Sequence, residues 1–122
     1  MSARLWWALW LLYAAAWSAA LLTTLPIKIR DAVVPEEHYF SASKLLHVFA
    51  FAAFAFLTSR LPSWRRTMLA VVILHGPLTE FLQQFTERTP SLMDVGFDWI
   101  GVALGVVVTW PRWRRADPPA PS

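Results

Sequence analysis

Long apolar stretches alternate with short polar ones along this chain, and the stretches have the length of bilayer crossings. Leu5 to Ile27 carries no charge and exceeds the roughly 20 helical residues that cover a hydrocarbon core. A second stretch runs from Phe40 to Leu61, with Lys44 near its start, His47 one turn deeper and Arg60 near its end. Both basic side chains can snorkel outward and extend the usable length. The third, Thr67 to Phe85, and the fourth, Ser91 to Trp110, contain acids, yet apolar residues surround those acids on every face, unlike an amphipathic soluble helix. The pattern predicts an all-α polytopic membrane protein, with four transmembrane helices in one compact bundle. A single domain would occupy residues 1–115, with spans at 5–27, 40–61, 67–85 and 91–110. A Pro-rich cytoplasmic tail at 116–122 is expected to be disordered.

Composition agrees with that pattern. Hydrophobic residues make up 57% of the chain and charged residues 16%, against about 25% charged in a soluble domain, and mean hydropathy is +0.43. The net charge of +3 would suit nucleic acid, but the arginines flank apolar runs, where a topological role accounts for them, so no nucleic-acid partner is expected. Cysteine is absent, which excludes disulfides, thiolate metal sites and cysteine nucleophiles. The small residues at 14–20 offer a signal-peptide cleavage site. The apolar run nevertheless continues to Ile27, beyond the 7 to 15 residues of a signal core, so the first segment reads as an uncleaved helix.

Charge then orients the spans. With both termini cytoplasmic, Arg4, Arg60, Arg65, Arg66, Arg112, Arg114 and Arg115 fall inside, and Lys28, Arg30, Lys44 and Arg88 outside. That is the inward bias the positive-inside rule requires. All acids except Asp117 fall in the outer half, and Trp6, Trp7, Trp64, Trp110 and Trp113 gather at the inner interface. The expected arrangement is a multi-pass membrane protein with both termini on the cytoplasmic side.

This topology brings the unusual polar residues to one level. Lys44 and His47 share a helix face at i, i+3; Glu80, Gln83 and Gln84 share one at i, i+3 and i+4; Asp94 and Asp98 share one at i, i+4. Ionisable residues at membrane depth read by default as a working site, and these converge in the outer leaflet. Arg88, in the rim loop 86–91, is expected to pair with a carboxylate below it or with an arriving anion. Ser91 is expected to cap the fourth helix, in a Ser-x-x-Asp start pattern with Asp94. Asp98 lies beyond the first turn and needs a partner, for which Lys44, Arg88 and protonated His47 are the candidates. Gly101 and Gly105 form a small-xxx-small stripe suited to close helix approach. Pro77 should kink or unwind the third span beside His75, a packed interior histidine or a proton relay.

The ordered set Ser43-Lys44-x-x-His47, Glu80-x-x-Gln83, Arg88-x-x-Ser91-x-x-Asp94 and Asp98-x-x-Gly101-x-x-x-Gly105 resembles the VanZ-like family of small bacterial membrane proteins, over about residues 40–106. The chain departs from the family pattern at Ser43, often an acid there, and at Thr86-Glu87, where Pro-Gly is common. The resemblance implies a helical protein of the bacterial plasma (inner) membrane, in a family named after a member linked to resistance to the glycopeptide teicoplanin. With the outward-facing polar cluster, the expected function is an accessory or binding role in cell-envelope physiology or in resistance to teicoplanin-type glycopeptides.

Besides the lipid bilayer itself, three partners suit an outward-facing polar cluster with apolar flanks: an envelope lipid, a lipid-linked precursor and a glycopeptide. The alternatives are an intramembrane enzyme acting on a lipid headgroup, with His47 and the acids as acid, base or divalent-cation ligands, and a purely structural charge network. No zinc motif, phosphate loop or nucleophile motif is present, so the sequence assigns no metal, no cofactor, no catalytic residue and no oligomeric state.

Overall fold

The computed structural model describes residues 1–116, and within them the chain is helical with no strand. Helix α1 (Ala3–Leu22) is built from Ala, Leu and Trp and begins at Ser2, whose hydroxyl accepts from the Leu5 amide at 3.3 Å. It ends where Thr23 turns extended, and a separate short helix α2 (Leu25–Val33) starts with Pro26 in its first turn. The uncharged segment expected to run unbroken to Ile27 is therefore divided. Proline at a first helical turn is a start signal, and it makes Thr23–Thr24 a corner.

A 3₁₀ turn (Glu36–His38) leads into α3 (Tyr39–Ser59). After a reversal at 60–64, in which Ser63 adopts a positive φ of 66°, α4 (Arg65–Gln83) returns antiparallel. Helix α5 (Leu92–Val108) follows the 84–91 loop, and a four-residue helix α6 (Trp110–Trp113) closes the described chain. The expected Pro-rich tail lies, from residue 117 on, outside the described residues.

Helix α3 packs against α1, α4 and α5, and its contact with α5 is the most extensive. The reason is the glycine stripe. A methyl group on Gly101 would collide with the Val48 carbonyl oxygen, and one on Gly105 would lie 2.5 Å from the Ala52 carbonyl oxygen and 2.7 Å from Ala55 Cβ. Only glycine lets the two backbones approach this closely. The core beside this seam is aromatic: Trp10, Phe51 and Phe54 pack with Ala55, Leu61, Val72 and Val102.

Pro77 sits inside α4, and the helix continues through it. Proline has no N–H to give the carbonyl four residues earlier. That carbonyl, Ile73 O, instead accepts from the Trp99 indole at 2.9 Å. A side chain of α5 thus replaces the backbone bond that α4 lacks.

Beside the apolar core, charged and polar side chains are also buried, and many large apolar ones are exposed. Asp98 is 0% exposed, and His47, Glu80, Gln83 and Asp94 are also buried, whereas Leu92 is 87% and Phe49 68% exposed. Two helical segments, Ala3–Leu22 and Glu36–Ser59, are long and apolar enough to cross a membrane. The charges also segregate. At one end of the packed helices Arg65 and Arg66 donate to the carbonyls of Arg115 and Trp113, the latter at 3.3 Å, and Arg60 stacks on Trp6 and Phe56. The acids gather at the other end.

Candidate functional site

The seam between α3 and α5 sets the site. Because Gly101 and Gly105 draw the two helices together, the side chains one and two turns nearer the acidic end meet face to face. Lys44 on α3 forms an ion pair with Asp94 on α5. One turn deeper, His47 Nδ1 lies 2.6 Å from Asp98 Oδ1, and its Nε2 lies 3.6 Å from Asp94 Oδ2. The four side chains make a continuous chain, Lys44–Asp94–His47–Asp98. Each buried carboxylate thus has a basic side chain of α3 beside it, which is how a charged group is accommodated away from water. Of the three partners expected for Asp98, the structure supplies His47.

Asp98 is pressed against α4 as well. A Cβ on Gly76 would sit 3.0 Å from Asp98 Oδ2, so the missing side chain at Gly76 makes the space that the carboxylate fills. That oxygen is buried with no hydrogen-bond partner among the described residues.

Glu80 joins from α4 by another route. Its Oε2 accepts the backbone N–H of Ser91 at 2.5 Å. This corrects the expectation for Ser91, whose hydroxyl makes no cap and whose conformation is extended. The α5 entry is instead held by a carboxylate from the neighbouring helix, and the side chain of Asp94, freed from any capping box, turns to Lys44.

Gln83 is buried and donates through Nε2 to Leu21 O at 2.8 Å. Gln84, expected in the same cluster, is exposed at the C-terminus of α4, where it lines a separate cavity with Glu80 and Ser91 and touches none of the charged chain Lys44–Asp94–His47–Asp98 among the described residues. At i+4 from Glu80 it falls where α4 is already ending. Of the two partners expected for Arg88, a carboxylate and an arriving anion, the carboxylate is not the one its Nη1 takes. Its Nη1 donates to Ala20 O at 3.3 Å and Thr23 O at 3.0 Å, so it satisfies the open carbonyls at the C-terminus of α1 rather than pairing with a carboxylate. Burial lowers its pKa from the ordinary arginine value, and the nearby Asp94 and Glu80 charges oppose that shift.

Above the chain of charges lies a cavity of about 360 Å³. Its walls include Trp17 of α1, Arg30 of α2, Ser43, Lys44 and His47 of α3, and Arg88 and Thr89 of the loop. Comparison of the chain with protein-family models, with curated proteins and with solved structures finds no match. What the site can do therefore rests on its own geometry.

Arg30 was read in the sequence only as an outer-side charge, and it emerges here as a wall of this cavity. Helix α2 carries it there, with the guanidinium 4.4 Å from the Tyr39 ring centre and 3.0 Å from Asp31. A Pro at the first turn of a short helix was the signal for that placement.

A second, apolar cavity of about 440 Å³ adjoins the first and shares Ala20, Pro26, Arg30 and Leu46 with it. His75 lies apart. Its Nε2 bonds Ser18 Oγ at 2.8 Å and its ring packs on Phe51 and Phe54, a packed interior histidine joining α4 to α1. Among the described residues no three His, Asp or Glu groups are disposed to share a metal ion.

Proposed function

We propose that this chain is a VanZ-like protein of the bacterial plasma membrane. Helices α1, α3, α4 and α5 cross the bilayer, and both termini lie in the cytoplasm. The cavity above Lys44 and Asp94 binds an amphiphilic envelope component, such as an envelope lipid, a lipid-linked precursor or a glycopeptide, in an accessory role within cell-envelope physiology. The exposed apolar surface supports the bilayer: an exterior of Leu, Phe and Val around buried Asp98 suits lipid and would aggregate in water. The arginine-rich end, where Arg65 and Arg66 tie down the chain after α5, suits the cytoplasmic side.

The observation that carries the binding reading is the juxtaposition of the 360 Å³ polar cavity with the adjoining apolar one. Sites for amphiphiles combine a few fixed polar groups with an apolar wall. A second reading, catalysis on a headgroup, draws support from the His47–Asp98 pair. A carboxylate on Nδ1 orients a histidine, and Nε2, 3.6 Å from Asp94 Oδ2, is the nitrogen left to exchange a proton.

Single neutralisation of Lys44, Glu80, Arg88 and Asp98 in cells lacking the native copy, with membrane abundance and survival of glycopeptide or envelope stress read together, tests the proposal. Normal abundance with lost survival for Lys44→Gln is the expected result. Survival that falls only in step with abundance, for all four variants, would reduce the charges to a scaffold.

A further inference from the structure

Four polar groups of the cavity wall differ in how far the protein already uses them. Lys44 is committed to Asp94. Arg88 spends Nη1 on the carbonyls of Ala20 and Thr23. His47 is held between Asp94 and Asp98. Arg30 is different: it sits on the two-turn helix α2, its side chain meets just its own neighbour Asp31 and the Tyr39 ring among the described residues, and it lines both the polar cavity and the apolar one.

The apolar cavity has the form of a chain-binding groove between α1 and α3, roofed by α2. Ala16, Ala19 and Ala20 give α1 a surface of small side chains, and Leu46 and Ile29 supply the facing walls. Leu46 is 50% exposed, so the groove opens sideways as well as toward the polar cavity. Along α2, Leu25, Ile29 and Val33 form one exposed apolar stripe at i, i+4 and i+8, while Lys28 and Arg30 lie off it. A short helix of this kind lies in the headgroup plane of a bilayer.

Resting on the membrane reading above, we propose that the double cavity is a lateral site for an anionic phospholipid. Its phosphate would lie between Arg30, Lys44 and Arg88, and one acyl chain would fill the groove beneath α2. Three cations line the polar cavity against two acids, Glu87 and Asp94. The fork of Arg30 and the remaining nitrogens of Arg88 suit the oxygens of a phosphodiester. A zwitterionic lipid brings its own cation into the same pocket and loses that advantage. Entry from the side, past Arg30, needs no opening of the α3–α5 seam.

Native mass spectrometry of the full chain in detergent micelles, titrated in parallel with dioleoyl phosphatidylglycerol, dioleoyl phosphatidylcholine and inorganic phosphate, tests the site. Phosphatidylglycerol should bind about ten-fold more tightly than phosphatidylcholine, the equivalent of one charge-assisted hydrogen bond. Arg30→Gln, on an exposed helix, should erase that preference without changing yield. Leu46→Trp should weaken both lipids by filling the groove. Equal binding of the two lipids, or phosphate binding as tightly as phosphatidylglycerol, would overturn the proposal. A fourth titration, with teicoplanin, separates the two levels. Glycopeptide binding without lipid preference would sink the phospholipid site and keep the amphiphile-binding function, and binding of none of the four would sink both.

Discussion

Replacing Trp99 with Phe should destabilise the protein by about 1 to 2 kcal/mol, and almost all of that cost should vanish when Pro77 is also replaced with Ala. The indole N–H is the donor that Ile73 O uses in place of the amide Pro77 lacks. Leaving a carbonyl without a donor away from water costs about 1 to 3 kcal/mol, whereas hydrogen bonds between helices in a bilayer reach at most about 1.7. The packing loss is small because Trp99 is 47% exposed. In the Pro77→Ala background residue 77 has its own N–H, directed at Ile73 O by helix geometry, and the indole becomes redundant. Reversible unfolding in lipid bicelles, run as a double-mutant cycle, should give a coupling of about 1 kcal/mol or more, above the roughly 0.3 to 0.5 scatter of independent sites. Additive effects would mean that water or another donor reaches Ile73 O, and they would refute both the compensation and the placement of this carbonyl in hydrocarbon.

Other substitutions follow from the same contacts. Gly101→Ala should lower the unfolding midpoint sharply or abolish folded yield, because its Cβ meets the Val48 backbone, while Gly96→Ala, with nothing within 4 Å, should raise stability by up to about 1 kcal/mol. His47→Ala should cost about 3 to 5 kcal/mol in the same bicelle assay by leaving Asp98 buried alone, and His47→Leu with Asp98→Leu should recover most of it. Arg88→Ala should speed hydrogen exchange in the last turn of α1 and leave the centre of α3 protected, since it removes the donor to Ala20 O and Thr23 O.

The meeting of Lys44, His47, Asp94 and Asp98 was legible because charge in an apolar run is conspicuous and helical spacing assigns it to a face. Gly101 and Gly105 were legible for a related reason: small residues four apart on an apolar helix have few uses besides close approach. What escaped were bonds in which a backbone group is one partner. Every residue offers the same amide and carbonyl, so spacing says nothing about which will be reached. Glu80 bonding the Ser91 amide, Arg88 bonding α1 and Trp99 bonding Ile73 are all of this type. The division of the first apolar stretch was written at Thr24-Leu25-Pro26 as a helix start, but hydrophobicity continuing to Ile27 masked it.

Helix α1 is joined to the rest differently from α3 and α5. Only Trp10 and Leu21 of it are buried; Trp10 and Tyr13 pack on the Phe54 ring, and spaced polar contacts add to that packing: Trp10 to Thr58, Tyr13 to the Ala50 carbonyl, Ser18 to His75, and its last carbonyls to Gln83 and Arg88. Those partners lie 37 to 68 residues downstream. During synthesis, in the proposed bilayer arrangement, α1 therefore waits in lipid with its backbone satisfied except for the last carbonyls. It docks by stages as each later helix arrives, and Arg88 latches its end after α4 is complete. A helix attached in this way is a separable part, so α1 supplied as an independent polypeptide should find and complete the remainder of the chain.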